Sequence, residues 1–306
     1  MTARPHRVDR ENHVTIFAQN AVFGLLIGGL YGLAAVGLSL VFGVLKMLNV
    51  AHGELIMLGG YTGFWLFTLW GVDPFIAVLP SALALFGAGV LLYQVLFRRL
   101  VYASDETKLK NSILIGFGLT LVVQTLAILA WTADERAITT AYAGAVAHIG
   151  GVVVPLLRAG ALGAAFLVLG GLHLFLHRTL PGKALRATAE DVEAASLVGI
   201  PVPRIFFTSF GLGSALAGVA GTLVSMTDAV SPAIGLSWTL KALIVVVLGG
   251  LGSIFGTFVA GLFLGVAESM SGFVLGNAYR EVMGLVLFLL VLLLRPQGLF
   301  GSRPAA

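Results

Sequence analysis

The chain alternates long apolar runs with short polar breaks, and the run lengths set the first expectation. Apolar runs cover about 14–45, 55–70, 75–97, 112–132, 159–176, 205–226, 238–248, 254–270 and 281–294. Most approach the roughly twenty residues that an α-helix needs to cross about 30 Å of hydrocarbon. They predict an all-α, polytopic membrane protein with eight or nine transmembrane helices. One helix is expected to be interrupted, because "WTLKALIVVVL" (238–248) and "IFGTFVAGLFLGVAESM" (254–270) are split by "GGLGS" (249–253). At 1.5 Å per residue the first piece makes only about 17 Å of helix, too little to span alone. Bare backbone at membrane depth must face protein or water. Gly249, Gly250 and Gly252 are therefore candidates for lining a translocation path or gate.

Composition supports this picture. The chain is 58% hydrophobic and only 10% charged, with 40 glycines, whereas ordinary soluble domains carry about a quarter charged residues. The net charge of +4 needs no nucleic-acid partner, since Lys and Arg gather in short connections as cytoplasmic loops do. By that bias the loops 98–111 and 178–204 lie inside, 133–158 and 227–237 outside, and Arg295 and Arg303 put the carboxyl end inside. The amino end fits less well. A single crossing before 46–54 would leave Arg4, Arg7 and Arg10 outside. Either that end breaks the rule or the first two runs include a re-entrant piece. The polar leader Met1–His13 resembles a signal peptide's, but the run behind it exceeds thirty residues, too long for a cleavable core, and is expected to stay as the first helix. Without cysteine there are no disulfides and no thiolate chemistry. No boundary or repeat divides the chain, so residues 1–306 form one membrane domain.

The passage "RATAEDVEAASLVGIP" (186–201) is polar in an oily chain. Thr188 is placed as an N-cap with Asp191 three residues on, the spacing of a capping box. Glu190, Asp191 and Glu193 then lie where the helix dipole favours acids. Gly199 and Pro201 end the helix. About ten residues, 189–198, give roughly 15 Å of helix, too short to cross. Ala194, Leu197 and Val198 share a face by spacing. On these features alone it is either an amphipathic connector on the membrane surface or a contact for another protein.

A resemblance bears on that choice. "EAASLVG" (193–199) matches the EAA-x-x-x-G signature of ABC-importer permeases, though the later "LP" pair of the general signature is replaced by "SFGLG" (209–213). "GLYGLAAVGLSLVFGVLKMLNVAHGELIMLGGY" (29–61), "GLSWTLKALIVVVLGGLGSIFGTFVAG" (235–261) and "LLLRPQGLFG" (292–301) resemble the permeases of branched-chain amino acid importers, nearly end to end. The resemblance implies a pore-forming subunit of the bacterial cytoplasmic (inner) membrane with a short cytoplasmic coupling helix. It implies as partners a second homologous permease, two cytoplasmic ATP-binding subunits and an external (periplasmic or extracellular) solute-binding protein. Asp191, Glu193, Ala194, Ala195 and Gly199 would meet an ATPase subunit. The chain has no G-x-x-x-x-G-K-[ST] phosphate loop, so ATP and Mg would be held by those partners. No cofactor and no catalytic residue are expected here.

Other polar residues invite two readings. Asn49, His52 and Glu54 in "NVAHGE" either cap a helix end or take part in gating. Glu268 sits near the end of its run, interfacial or pore-lining, and Lys241 is expected to snorkel to the interface. His173 and His177 stand four apart but lack a third metal ligand, and mark the inner end of their run. Gly28/Gly32, Gly59/Gly63, Gly252/Gly256 and Gly261/Gly265 are close-packing positions. The reading is an importer subunit for branched-chain or other hydrophobic amino acids. Its rivals are an importer of the same build for urea, amides or aromatic acids, an ion-gradient transporter, and a membrane scaffold.

Overall fold

The computed structural model describes residues 6–301, with side chains from Thr15 onward; the side chains of Arg4, Arg7, Arg10 and Arg303 lie outside that set. The described helices are α1 (His6–Leu45), α2 (His52–Trp70), α3 (Pro74–Leu92), α4 (Asp105–Trp131), α5 (Leu156–Arg178), α6 (Leu180–Glu190), α7 (Val192–Leu197), α8 (Val202–Thr227), α9 (Ile234–Gly249), α10 (Ile254–Val274) and α11 (Arg280–Leu294). Seven are long and apolar enough to cross a membrane, and α9 is a shorter apolar helix. α2, of 19 residues, is a further helix packed among them.

Small residues decide which helices occupy the centre. α1 and α10 run antiparallel, and Gly24, Gly28 and Gly32 meet Gly265, Gly261 and Phe258 in turn. The two glycine pairs expected to allow close packing, Gly28/Gly32 and Gly261/Gly265, are thus each other's partners. Gly59 and Gly63 of α2 likewise meet Gly218 and Thr222 of α8, where Thr222 Oγ1 donates to the Gly59 carbonyl at 3.1 Å. The most apolar stretch of α1 is 83% buried and that of α8 78%, against 17% for α4 and 6% for α11. α1 and α8 are the core, and α4 and α11 are left for lipid or other chains.

The connections sort into two faces, as the loop charges predicted. Residues 98–108 share a cleft with 189–196 and 202–207, which defines a coupling face. On the opposite face Arg136 pairs with Val230 as a β-bridge, and Arg158 approaches Asp228 at 3.8 Å. Two details differ from expectation. The loop 98–111 is helical at both ends, because Arg98–Tyr102 extends α3 as a 3-10 turn and Ser104 caps α4. The acids Asp105 and Glu106 fill the first turn of α4, where the dipole favours them. The stretch 133–158 contains a β-hairpin, Val146–Ile149 (β1) against Val152–Pro155 (β2). Its turn is made by Gly150 and Gly151, both at positive φ, as a two-residue hairpin loop requires.

The hairpin also holds the first half of α1. Gln19 donates through Nε2 to the Val153 carbonyl and accepts from the Val153 amide, both at 2.7 Å. α1 therefore starts at the hairpin face and ends at the coupling face.

The Gly-rich break at 249–253 separates two antiparallel helices rather than two collinear halves. Gly249 of α9 lies on Gly256 and Thr257 of α10. Further up the pair, Lys241 Nζ bonds both carboxylate oxygens of Glu268, at 3.1 and 3.2 Å. The lysine does not snorkel: its ammonium also lies 4.8 Å from the Tyr31 ring centroid, and Tyr31 donates to Glu268 at 2.9 Å. Three helices are tied together by one buried carboxylate. Replacing Lys241 by Met leaves that carboxylate without its cation and is expected to destabilise the chain by about 3 kcal/mol, the low end for a broken buried pair, since the lysine is 20% exposed. A second change, Glu268→Gln, should restore most of the loss. Thermal unfolding in detergent measures both variants.

Candidate functional site

Two groups of residues answer the sequence expectations, one inside the bundle and one on the coupling face. The inner group begins where α1 stops. Lys46 adopts φ +55°, which halts the helix, and residues 46–51 continue without helical structure to Ala51, the N-cap of α2. This segment turns back into the protein. The Leu48 amide donates to Ser112 Oγ at 3.1 Å, and His52 Nε2 donates to the Ala34 carbonyl at 2.9 Å. Ala34 lies eleven residues before the end of α1, about 16 Å up that helix. The break is re-entrant, with α2 starting at depth, but α1 before it still runs once from the hairpin face to the coupling face, so the re-entrant piece does not bring the amino end inside.

Non-helical backbone at depth needs internal hydrogen-bond partners, and they come from distant segments. Asn49 Oδ1 accepts from the Ala51 amide at 3.1 Å. Thr239 Oγ1, on α9, accepts from the Gly53 amide at 2.9 Å and donates to the Val50 carbonyl at 3.0 Å. Asn49 and His52 therefore serve as structural partners of the break. Thr239 does the same, and nothing local in the sequence singles it out.

Glu54 differs. It is 1% exposed, and neither carboxylate oxygen has a hydrogen-bond partner. The carboxyl group lies flush on the α-carbon of Gly235, where any side chain would collide with it. A buried ionised carboxylate without a partner is costly.

Gly249, Gly250 and Gly252 lie together at the coupling-face end. Gly250 and Gly252 hold φ of +100° and +88°. Gly252 rests on Gly43 of α1, and Gly250 on Gly298 and Gly301. The amides of Leu299 and Phe300 bond the carbonyls of Leu248 and Gly249 at 2.8 and 3.2 Å, so the carboxyl-terminal segment closes the end of α9.

The second group is the connector between α5 and α8. It holds two helices where one was expected. Thr188 is not an N-cap: it lies inside α6, and its hydroxyl donates to the Ala184 carbonyl at 2.9 Å. The cap of α6 is Thr179, which accepts from the Gly182 amide. Asp191 caps α7 by accepting from the Glu193 and Ala194 amides at 2.8 and 2.9 Å. A carboxylate can serve two amides at once, which is why the break falls there. Glu190 ends α6 instead of opening the second helix.

The far end follows the expected chemistry. Gly199, at φ +84°, bonds Ser196, and the Ile200 amide bonds the Ala195 carbonyl, each at 3.0 Å. That is a Schellman closure. Ala195 is buried at 3%, while Leu197 and Val198 are 89% and 77% exposed. Ala194 and Glu193 are exposed as well. Two apolar side chains are thus held outward on a capped turn.

His173 and His177 stack at 4.0 Å between ring centroids, and among the described residues no third ligand joins them.

Comparison with known proteins agrees with this layout. A family model described as "Branched-chain amino acid transport system / permease component" matches residues 20–294. The chain is 35% identical to the high-affinity branched-chain amino acid transport system permease protein BraD of Pseudomonas aeruginosa, over 93% of this chain and 96% of that one. It is 32% identical to the corresponding LivH of Escherichia coli K12, over 93% and 96%. A 121-residue stretch is 38% identical to LivM of the same bacterium, covering 39% of this chain and 28% of that one. The chain belongs to the family of branched-chain amino acid transport permease components, and it is a multi-pass membrane protein.

Proposed function

We propose that this chain is the permease subunit of an ATP-driven importer of branched-chain or other hydrophobic amino acids in the bacterial inner membrane. The observation that carries the reading is the capped α6–α7 connector, with Leu197 and Val198 turned outward on the coupling face. A separate ATP-hydrolysing subunit holding ATP and Mg would grip this tip through Ala194, Gly199 and the acids Asp191 and Glu193, whereas Ala195, expected beside them, is buried and supports the turn from within. A pair of such subunits closing on ATP would drag α6 and α7 with them, and α5 and α8, joined directly to those helices, would follow. The LivM likeness supports a second permease of similar build, and an external solute-binding protein would deliver the amino acid.

The gate in this scheme is the re-entrant segment with Asn49, His52 and Glu54, set against the start of α9. The glycine turn at Gly249, Gly250 and Gly252 lets α9 and α10 shift together. Reconstitution with the partner subunits tests the whole reading. Labelled leucine is expected to accumulate only with ATP inside and the binding protein outside. Uptake by the isolated chain under an imposed ion gradient, or urea transport in place of leucine, would overturn it.

A sharper test concerns Glu54. Glu54→Gln keeps the shape and breaks no hydrogen bond of the group, so assembly and melting should be unchanged. If the carboxylate serves the gate, uptake falls by about tenfold, equivalent to 1.4 kcal/mol. Wild-type uptake in this variant would remove Glu54 from the path.

A further inference from the structure

A crevice of about 430 Å³ opens between α1, α5, α6 and α10. Its walls are apolar, with Leu40, Leu169, Leu176, Phe255 and Phe258 among them. Its charged or titratable lining groups are His173, His177 and Arg186, and no carboxylate lines it. The neighbouring cleft on the same face is different in kind, mixing Asp105, Glu190, Asp191 and Glu193 with lysines and arginines.

The basic groups have valence to spare. Among the described residues Arg186 makes no ion pair, and it is exposed. His177 donates through Nδ1 to the His173 carbonyl at 2.9 Å, which makes Nε2 of the neutral ring an acceptor and leaves Arg186 as the group that donates to an anion. Both histidines sit in the last two turns of the membrane-crossing helix α5, at the level where hydrocarbon gives way to headgroups. Phe255, on the opposite wall, is 71% exposed. An apolar slot with a basic rim at that depth matches one class of molecule, an acyl chain that carries a phosphate. A guanidinium binds such a phosphate through paired hydrogen bonds. A choline headgroup would instead bring a cation toward Arg186.

We propose that this crevice is a binding site for an anionic phospholipid, with one acyl chain between α5 and α10 and the phosphate held by Arg186 beside the stacked His173–His177 rings. The crevice borders the proposed mobile turn at Gly252 but includes none of Asn49, His52, Glu54 or the α7 tip, and its test reads lipid retention, not transport.

The experiment is native mass spectrometry of the assembled transporter, offered phosphatidylglycerol or phosphatidylcholine with identical acyl chains. The wild type is expected to retain one phosphatidylglycerol per copy of this chain and to release phosphatidylcholine. Arg186→Ala combined with His173→Phe, which keeps an aromatic ring in the stack, should lower retention by about tenfold. Leu169→Trp, which fills the crevice and leaves every basic group in place, should lower it as well. Equal retention of the two lipids, or retention unchanged in the double variant, would overturn the proposal. Retention that survives Leu169→Trp would also overturn it, by assigning the lipid to the surface. Unchanged melting temperatures of the variants confirm that folding is intact.

Discussion

Replacing Ala194 by Trp is expected to abolish ATP-driven uptake while the chain still inserts and folds. Ala194 is exposed on α7 and packs on nothing that an indole would displace, so the cost within this chain is small. At a close protein interface the same indole fills the space that the partner must occupy. Steric overpacking costs roughly 1–3 kcal/mol even where neighbours can adjust, enough to weaken ATPase-subunit binding by about tenfold or more. Gly199→Val should act in the same direction by another route. A Cβ there meets no neighbour, but φ +84° is strained for a β-branched residue by about 1–2 kcal/mol. That undoes the closure that holds Leu197 and Val198 in place. Co-purification of the ATPase subunit and uptake in proteoliposomes measure both variants. Normal assembly and transport in both would show that α7 is a surface connector and not a docking element.

Gly261→Leu is expected to do the opposite kind of damage and to prevent accumulation of folded protein. A Cβ at 261 would collide with the backbone of Gly32, and backbone of a central helix cannot rotate away as a side chain can. The penalty is about 3 kcal/mol or more, a large share of the stability of any domain. Gly163→Ala is the matched control. It lies on α5 with nothing within 4 Å of the added methyl, so only helix propensity changes, in favour of Ala by about 1 kcal/mol. Fluorescence-detected size exclusion separates the two outcomes. A folded Gly261→Leu protein would mean that α1 and α10 do not meet through their glycines.

Much of this architecture is written locally. Run length gives the spans, and Lys and Arg sort the loops into two faces. Gly199 and Pro201 end the connector as their backbone preferences demand. The unforeseen parts depend on partners far away in the chain. The re-entrant path of 46–51 exists because Ser112, Thr239 and Ala34 supply hydrogen bonds from three other helices, and no window around Asn49 contains them. Thr188 was expected as the cap with Asp191 as its capping-box partner, and the backbone course of α6, which carries Thr188 into its interior, makes Asp191 the cap instead. The β-hairpin had a legible signal, two glycines between the short tetrads VAHI and VVVP, in a chain whose hydrophobicity drew the eye to helices. Glu54 was visible as an acid in an oily setting. Its isolation was not, because that follows from Gly235 of another helix lying against it.

The bonds from Leu299 and Phe300 to the end of α9 carry a consequence for biosynthesis. The carbonyls of Leu248 and Gly249 receive these partners only after fifty further residues have been translated. The last three described helices are therefore latched as a unit only once residues 299 and 300 have been made. A message truncated after residue 294 would yield every crossing and still leave that unit unlatched.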